Sequence, residues 1–306
     1  MAAAITLQRR RRRGVMLPGG KHWLFLTPML IVMVLTAVVP VVFTIALSVS
    51  ESETGKYANR NFSGPDQYAR AALDPQFWNA LSIQLVFVSF SVALQIGLGI
   101  LIALALTRDT RLSRAMRGPL LAPAVLPTII VALIFKFLLH SQLGAVSYYL
   151  RPFGIEQAWL DNGNTALIVL ILVDVWQFTP ITALLLLAGI QSIPRDYLEA
   201  ATLDGAGPIR QTLWVTIPLL GPVLVTVAVL RLIDAVQVFP TIYILTSGGP
   251  GTATTVLNFF GFSTFFVRGD VSYGSTIAVL LTLISVVIAI GVSLANRRKL
   301  QLHRRD

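Results

Sequence analysis

Four ionisable residues, Lys136, Asp174, Arg231 and Asp234, stand inside long apolar runs of this 306-residue chain. A charge among apolar neighbours must pair, face protein or water, or reach the edge of the run. Arg231 and Asp234 are three apart, a helical spacing at which they can pair on one face. Lys136 lies near the end of its run and is placed to snorkel. Asp174 has no local partner. Carboxylates accept hydrogen bonds, carboxamides donate and accept them, and an aromatic ring offers an apolar face. Asp174, Trp176, Gln177, Asp234 and Gln237 are therefore candidates to line a path for a polyhydroxylated solute. A buried structural role is the alternative for each.

Other chemistries are poorly supplied. The chain contains no cysteine, which excludes disulfides, thiolate nucleophiles and cysteine-ligated metals. His22, His140 and His303 are scattered singly, so no metal ligands and no catalytic residues are assigned. No G-x4-G-K-[ST] phosphate loop occurs; the nearest string, Gly14 to Lys21, has the wrong spacing and is followed by His22. This chain is thus not an ATPase. A membrane-embedded transferase finds no clustered carboxylates, histidine pair or phosphate-cradling glycines in the connecting segments.

The elements that position these groups follow from the solvent. With 55% hydrophobic and 12% charged residues and a mean hydropathy of +0.74, against roughly a quarter charged in soluble domains, water is not the main solvent of the surface. The net charge of +10 sits at the ends and in short connections, which points to the membrane surface and away from nucleic acid. A spanning helix needs about 20 mostly apolar residues. Six stretches qualify: Trp23 to Leu47, Trp78 to Leu106 inside a charge-free window between Asp74 and Arg108, Pro119 to Leu139, Thr165 to Ile190, Leu219 to Leu245, and Tyr273 to Ala295. None alternates with period two, so the predicted class is an all-α integral membrane protein with six transmembrane helices, not a barrel.

Lys and Arg crowd alternate connections. Arg9 to Arg13, Lys21, Arg108, Arg111, Arg114, Arg117, Arg195, Arg210, Arg297, Arg298, Lys299, Arg304 and Arg305 fall on one side, and only Lys56, Arg60, Arg70, Arg151 and Arg268 on the other. The positive-inside rule puts the first set, and both termini, in the cytoplasm. The chain then divides into a basic cytoplasmic segment 1–22, a membrane domain 23–295 and a basic tail 296–306. The first apolar stretch is longer than the core of a cleavable signal peptide, which makes it a retained span. The arginine run ahead of it reads as an orientation anchor on lipid headgroups. Residues 252–267 are apolar but short, fit to lie along the outer interface or to dip back among the helices. Ahead of them, Ser247 to Gly251 ends the fifth span and permits tight turns.

The connection between spans four and five is different. In residues 193–222 Pro194 is placed to start a short helix, Asp196 and Glu199 suit its first turns, and Ala200 and Ala201 favour it. Gly205 breaks it, Pro208 starts a second, and Pro218 is placed to end that one. The expected product is a small helical lever with a tip free of bulky side chains, continuous with two spans. An amphipathic connector lying on the membrane surface is the alternative.

Glu199-Ala200-Ala201, three residues, Gly205, nine residues and Val215-Thr216-Ile217-Pro218 resemble the EAA signature, EAA-x3-G-x9-I-x-L-P, of permease subunits in binding-protein-dependent ABC importers. Val215 and Ile217 depart conservatively from it, and Thr212 stands where many relatives have Phe. Val175 to Pro180, Leu187 to Pro194, and Leu245 to Thr252 are similar to the carbohydrate-uptake permeases of the maltose type, with Pro240 where many of those have Asp. The resemblance implies a type I (MetI-like) importer permease in the bacterial cytoplasmic membrane. It implies a second permease, two ATPase subunits that use ATP and Mg, and an external solute-binding protein delivering a sugar, oligosaccharide or polyol. It implies further that Glu199, Ala200, Ala201, Asp204, Gly205, Ala206, Gly207 and Arg210 contact the ATPase, and that this chain itself binds no cofactor. A proton-coupled secondary transporter using Asp174 or Asp234 is the alternative.

Overall fold

The computed structural model describes residues 22–52, 60–107, 110–153 and 158–302, with side chains left undescribed at 22–25, 52, 60–61, 293 and 295–302. Arg9 to Arg13, Lys21, Lys56, Arg108, Arg304 and Arg305, on which the orientation partly rests, lie outside the described residues. Two compact units result, Met1–Ala46 and Leu47–Asp306. In the first, α1 (His22–Met33) passes through a π turn (Val34–Val38) into α2 (Val39–Ser48), whose last two residues belong to the second unit. The shift to i→i+5 bonding, with Val39 N–H on the Val34 carbonyl, falls one residue before Pro40, which has no N–H to offer.

The second unit opens with a hairpin of β1 (Ser50–Ser52) and β2 (Arg60–Phe62), then α3 (Asp66–Leu73) and α4 (Pro75–Thr107). Helix α4 fills the charge-free window between Asp74 and Arg108, as expected. The third stretch is not one helix. It is delivered as α5 (Arg111–Leu120) and α6 (Ala122–Val125) followed by α7 (Thr128–Leu138), bent by 88° at the break. Leu126 is extended (φ −68°, ψ 135°) because the ring of Pro127 disfavours helix in the preceding residue. After α8 (Ala145–Leu150), α9 (Gly163–Gln191) starts at Asn162, whose side chain accepts the Asn164 N–H.

The lever follows as α10 (Arg195–Leu203) and α11 (Pro208–Gln211). Pro218 does not end the second helix. A π turn (Thr212–Thr216) carries α11 into α12 (Ile217–Val236), with Ile217 N–H on the Thr212 carbonyl, so the register change absorbs the donor that Pro218 lacks. The fifth span breaks instead at Gln237–Phe239 and resumes as α13 (Pro240–Leu245). Asn258 donates to the Gln237 and Val238 carbonyls at 3.0 and 3.4 Å, replacing helical partners lost at the break. α14 (Leu257–Phe262) and a further π turn (Ser263–Val267) pack on α15 (Val271–Leu302), so residues 252–267 dip among the helices. Leu257, Phe260 and Thr264 are buried there.

Helices α4 and α9 are the central pair and run parallel, since Gln95 meets Asp174 and Gly99 meets Thr182. That direction requires the bent pair α5–α7 to return the chain across the bundle. The described residues thus hold five helices long and apolar enough to span, six with the bent pair. α12 runs antiparallel to both, with Gly189 under Leu220 and Val223, and Arg231 against Gln95. A Cβ at Gly99 would lie 2.9 Å from Thr182 Cγ2, 3.3 Å from Leu186 Cδ1 and 3.4 Å from the Ala183 nitrogen, whereas one at Gly97 meets nothing within 4 Å. Gly99→Ala is expected to cost about 1–3 kcal/mol by forcing the pair apart. Gly97→Ala should be neutral or stabilising by about 0.5–1 kcal/mol. Melting of the assembled transporter should fall for Gly99→Ala and hold or rise for Gly97→Ala.

Candidate functional site

The lever is closed by backbone geometry. Gly205 sits at φ +78°, its N–H bonds the Thr202 carbonyl at 3.0 Å, and the Ala206 N–H bonds the Ala201 carbonyl at 2.9 Å. This paired closure of a helix C-terminus needs a left-handed residue after the cap, which glycine supplies without steric cost. Gln211 then staples the two short helices, its amide donating to Thr202 Oγ1 at 2.9 Å and to the Ala206 carbonyl at 3.0 Å. Because α11 runs on through the π turn into α12, displacing the tip displaces that span.

Glu199, Ala200, Asp204, Gly205, Gly207 and Arg210 are exposed, Ala206 is half-buried and Ala201 is buried. The tip is not free of bulky groups: Leu203 and Ile209 project from it at 89% and 77% exposure. Sequence reasoning missed both residues because it counted only the small ones between them.

Deeper in the bundle, Asp174 does have a partner, from another helix. Its Oδ2 accepts from Gln95 Nε2 at 2.6 Å, and Gln95 Oε1 in turn accepts from Arg231 Nε at 2.7 Å. Arg231 Nη1 reaches Asp234 Oδ2 at 3.0 Å, which realises the pair expected from their spacing. The Arg231 guanidinium also covers the Phe178 ring at 4.2 Å. Asp174, Gln95 and Arg231 are buried, while the Asp234 side chain is 63% exposed. The carboxamide thus separates a buried anion from a buried cation and bonds both, joining α4, α9 and α12. Gln95 gives no sign of this in the sequence, since one amide in an apolar helix resembles any other.

The remaining candidates disperse. Gln177 is buried and donates to the Leu126 carbonyl and Thr128 Oγ1 at 3.1 and 3.2 Å, holding the break between α6 and α7. Trp176 turns to another side of α9, edge-on to Phe135 at 5.3 Å between ring centroids. Gln237 borders a cavity of about 500 Å³ with Asn258 and Ser285. Asp234, near the end of α12, and Gln237, just past it, are both exposed. Lys136 does not simply snorkel: its Nζ donates to the Ile244 carbonyl at 2.7 Å, tying α7 to α13. No group of three or more His, Cys, Asp or Glu suited to a metal ion occurs among the described residues.

Residues 95–301, which include the whole lever and every member of the buried relay, match the family described as the binding-protein-dependent transport system inner membrane component. The chain belongs to this family. It is a membrane-spanning transport component and not an enzyme. The permease is 35% identical over 84% of its length to the trehalose/maltose transport system permease protein MalF of Thermococcus litoralis, covering 87% of that protein. It is 34% identical over 87% of its length to the sulfoquinovosyl glycerol transport system permease protein SmoG of Agrobacterium fabrum, covering 86% of it. A crystal structure of a bacterial ABC transporter that imports the acidic polysaccharide alginate superposes with a TM-score of 0.77 at 20% identity, covering 90% of the permease and 94% of that chain. At that identity the fold is what the two share. Nothing in these likenesses favours a proton-coupled secondary transporter.

Proposed function

We propose that the permease forms half of the translocation path of an ATP-driven importer for a carbohydrate, whether sugar, oligosaccharide or polyol, in the bacterial cytoplasmic membrane. The observation that carries this reading is the rigid α10–α11 lever running without interruption into α12. At the far end of that helix lie Arg231 and the exposed Asp234, with the exposed Gln237 just beyond it. Relatives named for trehalose, maltose and sulfoquinovosyl glycerol transport support the substrate class.

In this reading a second permease covers the side of α12 that carries Asp234 and Gln237, and two ATPase subunits grip the lever from the cytoplasm. An external binding protein delivers the solute at the opposite end. Glu199, Asp204 and Arg210, with the small residues Ala200, Ala201, Gly205, Ala206 and Gly207, form the docking surface, to which Leu203 and Ile209 add apolar anchors. ATP and Mg act in the partner chains. Closure of the ATPase pair shifts the lever and α12 with it, exchanging inward-open and outward-open states. Asp234 and Gln237 line the path, whereas Asp174 and Gln177 hold the helices that border it and Trp176 packs on α7 at another side of α9. The flanking segments 1–22 and 296–306 stay in the cytoplasm.

The test is uptake of a labelled sugar panel by cells expressing the permease with the other subunits of its gene cluster. Uptake should continue when a protonophore collapses the proton gradient while cellular ATP is held up. Loss of uptake with the gradient, at constant ATP, would sink the proposal.

A further inference from the structure

A second polar cavity lies at the end of the bundle opposite the lever. It occupies about 450 Å³ between the end of α7, the segment leading into α9 and the turn after α13, with Lys136, His140, Trp159, Asp161, Thr246 and Gly249 among its walls. That volume lies in the range of small-molecule sites. The relay does not reach it, and none of the path residues named above borders it.

Its groups are set for hydroxyls. Lys136 Nζ is pinned by the Ile244 carbonyl at 2.7 Å, and an ammonium has two further N–H donors. His140 Nδ1 accepts the Gln142 and Leu143 N–H groups at 3.3 Å each, which assigns the ring proton to Nε2 and makes that atom a donor. The indole N–H of Trp159 is buried and has no hydrogen-bond partner among the described residues. That nitrogen is closed off from the cavity, so what Trp159 offers there is its ring. Asp161 supplies a carboxylate acceptor and is exposed. Donors and an acceptor around one aromatic ring match a sugar, whose every hydroxyl both donates and accepts and whose C–H face packs on indole. A purely anionic ligand would meet Asp161, and a cation would meet Lys136.

We infer that this cavity is a saccharide-binding vestibule, a holding site for one or two sugar rings at the outer mouth of the permease, separate from the solute path along α12. The inference rests on the carbohydrate reading above. Its test is calorimetric titration of the assembled transporter in lipid nanodiscs, without its binding protein, using maltose, trehalose and mannitol. At least one of these should bind saturably. Asp161→Asn should weaken that binding at least about fivefold, the scale of one hydrogen bond, and Trp159→Leu, which removes the ring, should weaken it as well, while Asp66→Asn, an exposed change on α3 away from the cavity, leaves it unchanged. Asp161→Asn is an exposed, nearly isosteric change, which keeps folding out of the comparison. ATP-driven uptake of these sugars with no binding in the titration, or binding unaltered in both variants, overturns the vestibule and leaves the carbohydrate reading standing. Failure to take up any sugar fails that reading first and the vestibule with it.

Discussion

Replacing Gln95 with Leu is expected to cost the assembled transporter about 3–5 kcal/mol, the range seen when one partner is removed from a buried charged network. Three bonds go at once, the donations to the Asp174 carboxylate at 2.6 Å and to its carbonyl at 3.3 Å and the acceptance from Arg231 at 2.7 Å. Leu fits the α4–α9 seam by size, so the loss comes from a carboxylate and a guanidinium left buried without their shared partner. Asp234→Asn removes only the exposed end of the relay and should cost no more than about 1 kcal/mol. Changing the three buried members together, Gln95→Leu with Asp174→Leu and Arg231→Met, should recover much of the loss, because uniformly apolar packing strands no charge. Melting temperatures of the purified complex read all three outcomes. Equal melting of Gln95→Leu and the parent would show that the relay contributes nothing to holding α4, α9 and α12 together.

Substituting Gly205 with Val is expected to lower ATP-driven uptake at least about tenfold while the subunit still inserts and α12 still packs. The obstacle is not space, since a Cβ there meets nothing within 4 Å. It is the backbone angle of +78°, which costs about 1–2 kcal/mol for an ordinary L-residue and more for a β-branched one. A cost of 1.4 kcal/mol corresponds to about a tenfold shift in population. The variant therefore opens the turn, loosens the Gln211 staple and uncouples the tip from α12. Gly205→Asn, which tolerates the left-handed region, should keep most of the uptake. Uptake assays paired with pull-down of the ATPase subunits separate lost docking from lost transmission. Equal uptake by Val and Asn variants would show that the left-handed turn does not matter to coupling.

Several features were legible without coordinates because they depend on local composition. The charge-free window from Asp74 to Arg108 set α4 almost to the residue, since a long apolar run has no stable alternative to helix in hydrocarbon. The prolines and glycines of residues 193–208 marked the lever, because the conformations they forbid or permit are properties of single residues. The Arg231–Asp234 pair followed from helical spacing alone.

Only the tertiary structure decided the rest. Pro127 breaks its span and Pro218 does not: the first leaves a break held by Gln177 from α9, and the second is absorbed by a π turn. A proline removes the same N–H in both places, and what replaces it lies elsewhere in the chain. Asp174 looked solitary because its partner stands 79 residues away on α4. The five residues grouped by chemistry as one path separated by helix face, Trp176 and Gln177 to different sides of α9, Asp234 to the exposed side of α12 and Gln237 to the break after it. Residue type determines which interactions a side chain can make, but the packing of parallel α4 and α9 against antiparallel α12 determines which are within reach, and a linear order of residues does not encode that distance.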